Sequence, residues 1–255
     1  MSLRTYNVEL TVFGEITTEE TISFNTDKEL NHGNIFNSDV IIKSHPQGLR
    51  ISSTVYTENR DRAFKVALLF IGRMLDVLAI KTETPLFIYN NEIKPVLDRN
   101  TTKAIISSQE FQECFKFSRY LNLNHTAFLT GLNWYRKGLY TEDPYDKFLA
   151  YWNSISIVSS KYHTPNDRTQ NGIINQIWNC FETLWGTDTA HWPFIHGDNR
   201  WINNNNQTRD TIAHGLVPVE VGNVENVIAK LENTQKVAHK FLTAWSQLKF
   251  ETALA

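Results

Sequence analysis

Two residue types with phosphate chemistry, Arg209 and His214, lie close together in residues 209–215, which read RDTIAHG. An arginine stays charged in proteins and offers a planar fork of donors to phosphate oxygens. A histidine changes charge near neutral pH and serves as base or acid. Because cleavage of a phosphodiester needs both a phosphate clamp and a proton carrier, the pair indicates phosphodiester chemistry.

An Arg followed after four to six residues by a His is by itself a weak signal, because Arg119 and His125 also fit this spacing. At Arg209 the context is stronger, since the next residue is the polar Asp210 and Gly215 reads as a helix cap. Asp210 and His214 lie four positions apart and share one face of a helix. Two interpretations stay open for Asp210: it orients the imidazole, or it forms an ordinary surface pair.

The segment resembles the signature of HEPN-domain proteins, in which an Arg, a polar residue, a short spacer and a His form a metal-independent ribonuclease site. The resemblance covers roughly residues 143–255 and concerns the ApeA-like and methylamine-utilisation protein J-like branches, the latter also through residues 59–80. The sequence departs from the pattern at Ser156, where many relatives carry Glu.

The resemblance implies an endoribonuclease, acting as a toxin or a phage-defence effector, with Arg209, His214 and Asp210 as catalytic residues. The 2'-hydroxyl of RNA, single-stranded or tRNA-like, would attack the adjacent phosphorus without metal or cofactor. It further implies a homodimer with facing motifs. Two alternatives use the same fold: a catalytically silent nucleotide- or partner-binding module, and an accessory protein of a metabolic operon.

Residues 186–207 lack clear periodicity and are expected to form a loop, with Asn203–Asn206 as its strongest loop signal. The substrate-binding candidates in it are Trp192, His196 and Trp201, whose rings could stack on unpaired bases. The alternative is that the tryptophans pin the loop to the helices.

A metal site is not predicted. His191, His196 and Asp198 match no standard ligand spacing, and no cysteine joins them.

Composition limits which partners and which cell compartment are expected. The 255 residues carry 25 basic and 27 acidic side chains, so any contact with RNA must be local rather than driven by net charge. Cys114 and Cys180 are isolated, which favours reduced thiols and a cytoplasmic protein. The longest apolar run is too short to cross a bilayer, so no membrane partner is expected.

The elements that must position the motif fall into two regions. An N-terminal α+β domain over 1–100 is predicted from alternating β-branched segments (6–13, 21–24, 40–43, 49–56 and 86–89) and a helix with an apolar stripe (58–80). A protein partner or regulator is expected to act through this domain. Helical periodicity in 143–162, 167–184 and 220–249, with a motif helix before Gly215, predicts a helical bundle over 101–255. The resemblance implies that this bundle is HEPN-like. The fold class is therefore α+β, and the boundary is expected at residues 98–102.

Overall fold

The computed structural model describes residues 3–29, 35–89, 102–215, 220–252 and 254. The described strands are β1 (Arg4–Phe13), β2 (Ile16–Thr17), β3 (Ile22–Glu29), β4 (Ile35–His45), β5 (Gly48–Thr57), β6 (Phe87–Tyr89) and β7 (Ala104–Ile105). The described helices are α1 (Arg60–Thr82), α2 (Ser108–Asn124), α3 (Thr126–Tyr140), α4 (Pro144–Tyr162), α5 (Ile173–Trp185), α6 (Trp201–Ala213) and α7 (Val221–Phe250). The chain divides into two compact units, residues 1–120 and 121–255.

The first unit is built on an antiparallel sheet with strand order β3-β4-β5-β1-β6. Alternation in β1 places Leu10 and Val12 in the core and Glu9 outside, as the period of two in a half-buried strand requires. Helix α1 begins at the side chain of Asn59, which accepts a hydrogen bond from the Arg62 amide, and its apolar stripe is buried.

The second unit is helical. Helix α4 begins where the sequence predicts, because the Asp143 carboxylate accepts a hydrogen bond from the Asp146 amide and Pro144 occupies the first turn. Helices α3 and α4 approach closely at Gly138, where a Cβ would lie 2.5 Å from a ring carbon of Tyr151. Helix α7 buries Phe241 and other apolar residues along one side.

These features confirm the predicted α+β class, with an antiparallel sheet region followed by helices. The predicted boundary at 98–102 lies, except for its last residue, outside the described residues. Among described residues, no helix is long and apolar enough to span a membrane.

Several local predictions were wrong. The predicted helix over 167–184 is a 3₁₀ turn (Thr169–Asn171) followed by α5, because Gly172 adopts a φ of 98° that interrupts the helix. Asn203–Asn206 does not form a loop but lies within α6. The sequence pattern did not predict α2 or α3 as separate helices.

Candidate active site

Helix α6 has a buried N-terminal half and an exposed C-terminal end, and the Arg/His pair lies at the exposed end. Trp201, Ile202, Asn205 and Asn206 are buried and fix the helix in the unit. His214 follows the last helical residue, and its backbone N–H still bonds to the Asp210 carbonyl at 3.0 Å. The pair is therefore presented at the solvent-exposed end of an anchored helix.

The carboxylate of Asp210 binds two neighbours, neither of which is His214. Its Oδ1 lies 2.8 Å from Arg209 Nη1, and its Oδ2 accepts a hydrogen bond from Asn206 Nδ2 at 2.9 Å. Arg209 and Asp210 are both about half exposed, with side-chain exposures of 41% and 45%. Asp210 therefore does not orient the His214 imidazole and does not form a surface pair with it. The carboxylate instead orients the Arg209 guanidinium.

Arg209 retains donors for a ligand. A guanidinium has five N–H groups in a rigid fork, and the bond to Asp210 engages one nitrogen. A phosphate can therefore bind to the remaining edge while the carboxylate holds the arginine in place.

The His214 side chain is exposed, and within the described parts of the chain no hydrogen bond or ion pair engages its ring. The residue lies at the C-terminal end of α6. The ring is accessible for proton exchange with a bound molecule.

The two tryptophans of the predicted substrate loop are buried. Trp192 is 1% exposed, donates from Nε1 to the Gly186 carbonyl at 2.8 Å, and lies 4.7 Å from the Trp178 ring centroid. Trp201 is 7% exposed and donates from Nε1 to Asn233 Oδ1 at 2.6 Å. Because their faces pack on other rings, the structure favours the interpretation in which they pin the segment rather than stack on bases.

His196 is exposed, and so is a neighbour that the sequence reasoning did not select, Phe194. Both adopt left-handed backbone conformations, with φ of 49° and 62°, which are uncommon for residues other than glycine. The Phe194 carbonyl accepts a hydrogen bond from Asn233 Nδ2 at 2.7 Å. No periodic signal predicts this exposed aromatic, because its direction depends on the left-handed turns.

Lys230 of α7 is a second residue that sequence reasoning did not select. Its Nζ donates to Thr208 Oγ1 at 2.5 Å, one residue before Arg209. Burial lowers the pKa of this ammonium from its ordinary value, because desolvation disfavours the charged form. Across the described residues no carboxylate pairs with Lys230.

The other candidates are placed as follows. His191 lies 3.2 Å from Asp188, away from any third ligand, and within the described ranges no group of three His, Cys, Asp or Glu side chains could hold a metal ion. Ser156 donates to the Trp152 carbonyl at 2.9 Å within its own helix. Arg119 and His125 lie at the end of α2 and just after it.

Comparison with known proteins gives no match to a family model, a curated protein or a solved structure.

Proposed function

We propose that this chain is a metal-independent endoribonuclease in which Arg209 binds the scissile phosphate and His214 transfers a proton. The observation that carries the proposal is the exposed end of α6. It carries a guanidinium held by Asp210 and, five residues later, an exposed imidazole with no other bond among the described residues. Arginine and histidine together supply the charge stabilisation and the proton transfer that the reaction requires.

In the proposed reaction the 2'-hydroxyl oxygen of RNA forms a bond to the adjacent phosphorus and loses its proton to a base. The bond from phosphorus to the 5'-oxygen breaks, and that oxygen takes a proton from an acid. The products are a 2',3'-cyclic phosphate and a 5'-hydroxyl end. His214 serves as one of the two proton carriers, and Arg209 stabilises the charge on the phosphoryl oxygens.

The test is incubation of the full chain with tRNA and mRNA in EDTA, followed by analysis of the product ends. We expect His214→Ala to lower the rate by about 10²-fold to 10⁴-fold, the usual contribution of acid-base assistance. The matched control is His191→Ala, which removes another exposed imidazole. Full activity of His214→Ala would contradict the assignment.

Arg209→Lys tests the guanidinium separately. Lysine keeps the charge but loses the fork, and one missing donor to a developing oxyanion costs roughly 3 to 4 kcal/mol. We therefore expect a loss of about 10²-fold to 10³-fold, with Arg62→Lys on α1, whose guanidinium is about half exposed, as the control. Equal rates for the two variants would refute the phosphate-binding role.

A homodimer is part of the proposal, since one chain supplies one imidazole at the site and the reaction is best served by a base and an acid on opposite sides of phosphorus. Mixing inactive His214→Ala and Arg209→Ala chains should recover partial activity if two subunits share the site. A monomer by light scattering that keeps its rate per chain on dilution would exclude it.

The silent module is the second candidate, favoured by Ser156, which bonds to its own helix and supplies no carboxylate. It predicts RNA or nucleotide binding without cleavage. Equal and negligible cleavage by the wild type and His214→Ala, with retained binding, would support it. The cytoplasmic location and the role as a toxin or defence effector also belong to the proposal.

A further inference from the structure

Two side-chain hydrogen bonds link helices α6 and α7 between the Arg/His end of α6 and the exposed Phe194. Trp201 at the start of α6 bonds to Asn233, whereas Thr208, two turns later, bonds to Lys230, one turn earlier on α7. The helices therefore run in opposite directions along this contact. Asn233 also holds the Phe194 carbonyl, so Phe194 lies at the end of the contact away from His214.

We infer that the surface along the α6–α7 contact, defined by Arg209, Lys230 and Phe194, binds a single RNA strand beyond the cleaved bond. In this arrangement the Lys230 ammonium contacts a phosphate, and an unpaired base stacks on the Phe194 ring. The inference rests on the proposed function and deepens it by naming where the rest of the substrate lies.

Lys230 supplies the phosphate contact. An ammonium has three donors, and the hydrogen bond to Thr208 uses one of them. Thr208 donates its own proton to the Asn204 carbonyl at 2.9 Å, so its oxygen is oriented to accept from Lys230. A half-buried cation that lacks a carboxylate partner among the described residues is stabilised by an anionic ligand, and the RNA backbone provides one at each nucleotide.

Phe194 supplies the stacking contact. Phe194 is 40% exposed although its neighbour Ile195 is buried at 5%. Two strained residues in the left-handed region, Phe194 and His196, hold this arrangement. Such strain persists where the surroundings over-determine the conformation, here through the Asn233 hydrogen bond. Exposed aromatic rings beside a cationic groove are the usual means of binding single strands without sequence preference.

The spacing fits a short strand. Trp201 bonds to the same Asn233 amide that holds the Phe194 carbonyl, and it lies about 12 Å from Arg209 along the helix axis at about 1.5 Å per residue. That length corresponds to about three to four nucleotides at the stacked spacing of about 3.4 Å. The stacked base should therefore lie about three to four nucleotides from the cleaved bond.

The test uses His214→Ala as the background, so that RNA stays intact, and measures binding of a labelled single-stranded RNA of about eight nucleotides by fluorescence anisotropy. The salt dependence of affinity counts phosphate contacts. We expect Lys230→Gln to reduce the slope of log K against log salt by about 0.7, the value for one phosphate contact in a single strand. Lys236→Gln, an exposed lysine of α7 paired with Glu232, should leave the slope unchanged.

Base stacking is tested with Phe194→Leu, which keeps an apolar side chain, and Phe194→Trp, which keeps an aromatic ring. We expect Phe194→Leu to weaken binding by about 5-fold or more, whereas Phe194→Trp should bind RNA as tightly as the Phe194 protein. An abasic nucleotide scanned along the RNA should weaken binding to the Phe194 protein at one position. At that position it should not further weaken binding to Phe194→Leu. A purely structural role for Phe194 would not produce this coupling.

Unchanged slope in Lys230→Gln, or absence of coupling at every abasic position, would overturn the inference even if the wild type cleaves RNA. If the slope change and the coupling are observed but the wild type cleaves no RNA, the RNA-binding surface would be supported and the ribonuclease activity refuted. A chain that neither binds nor cleaves RNA would refute both.

Discussion

The Asn233 side-chain amide bonds to two parts of the second unit, Trp201 and Phe194. Its substitution therefore tests how the segment around Phe194 is held. Its Oδ1 accepts from the Trp201 indole at 2.6 Å, and its Nδ2 donates to the Phe194 carbonyl at 2.7 Å. Asn233→Ala removes both bonds without changing the backbone of α7. We expect the unit to lose stability and the segment around Phe194 to open more often.

The magnitude follows from which atoms lose a partner. The Trp201 ring is 7% exposed, so its N–H would lose its bond without gaining water, which costs about 1 to 3 kcal/mol. The Phe194 carbonyl lies at the exposed surface, where water replaces the amide at little cost. Alanine regains about 0.5 kcal/mol of helix propensity over asparagine. The expected net loss is therefore about 0.5 to 2.5 kcal/mol.

The assay is urea unfolding followed by tryptophan fluorescence. All seven tryptophans lie in the second unit, so the signal reports that unit alone. Asn226→Ala on the exposed side of α7 is the matched control and should change stability only through propensity. Hydrogen exchange should quicken at the amides of 195–197 in Asn233→Ala. Equal stability of the two variants with unchanged exchange would refute the reasoning.

Two further predictions concern the cores of the two units. Gly138→Ala should destabilise the second unit by about 1 to 3 kcal/mol in urea unfolding, because the added Cβ would meet the buried Tyr151 ring at 2.5 Å. Gly72→Ala is the control: nothing lies within 4 Å of the added Cβ, so it should stabilise the first unit by about 0.5 to 1 kcal/mol. Equal effects would contradict the packing. Burial raises the pKa of the Cys114 and Cys180 thiols from 9.0 to about 12, so at pH 8 iodoacetamide should react about 10³-fold more slowly than with the unfolded chain. The same pKa shifts stabilise the fold below about pH 9, and that contribution is lost as pH rises toward 12; a flat stability profile over this range would contradict it.

The sequence predicted much of the first unit, because its strands are half-buried and their alternation is visible. The predicted strand over 6–13 is β1, and the predicted helix over 58–80 is α1, each within two residues at either end. Capping signals explain the accuracy at α4, where Asp143 and Pro144 mark the start.

Helix α6 shows where sequence signals were overridden. Asparagine favours turns, because its side chain competes for backbone hydrogen bonds. In α6 the competing amides have partners within the helix: Asn205 Nδ2 donates to the Trp201 carbonyl, and Asn206 Nδ2 donates to Asp210. Both asparagines are buried, so tertiary packing decides the conformation, and no local pattern encodes that.

The role of Arg209 and His214 stays a prediction, whereas the surroundings of the two residues differ from those expected, for a physical reason. Aromatic type alone suggested that Trp192 and Trp201 face the substrate, but burial of large rings stabilises the unit and both are enclosed. The exposure of Phe194 follows from two left-handed residues, and the approach of Lys230 to Thr208 follows from the position of α7 near α6. Residue type and spacing therefore predict a chemistry for a segment. Which side chains of a distant helix approach that segment is set by packing, and in this chain the packing brings Lys230 to Thr208, one residue before Arg209, and encloses both tryptophans.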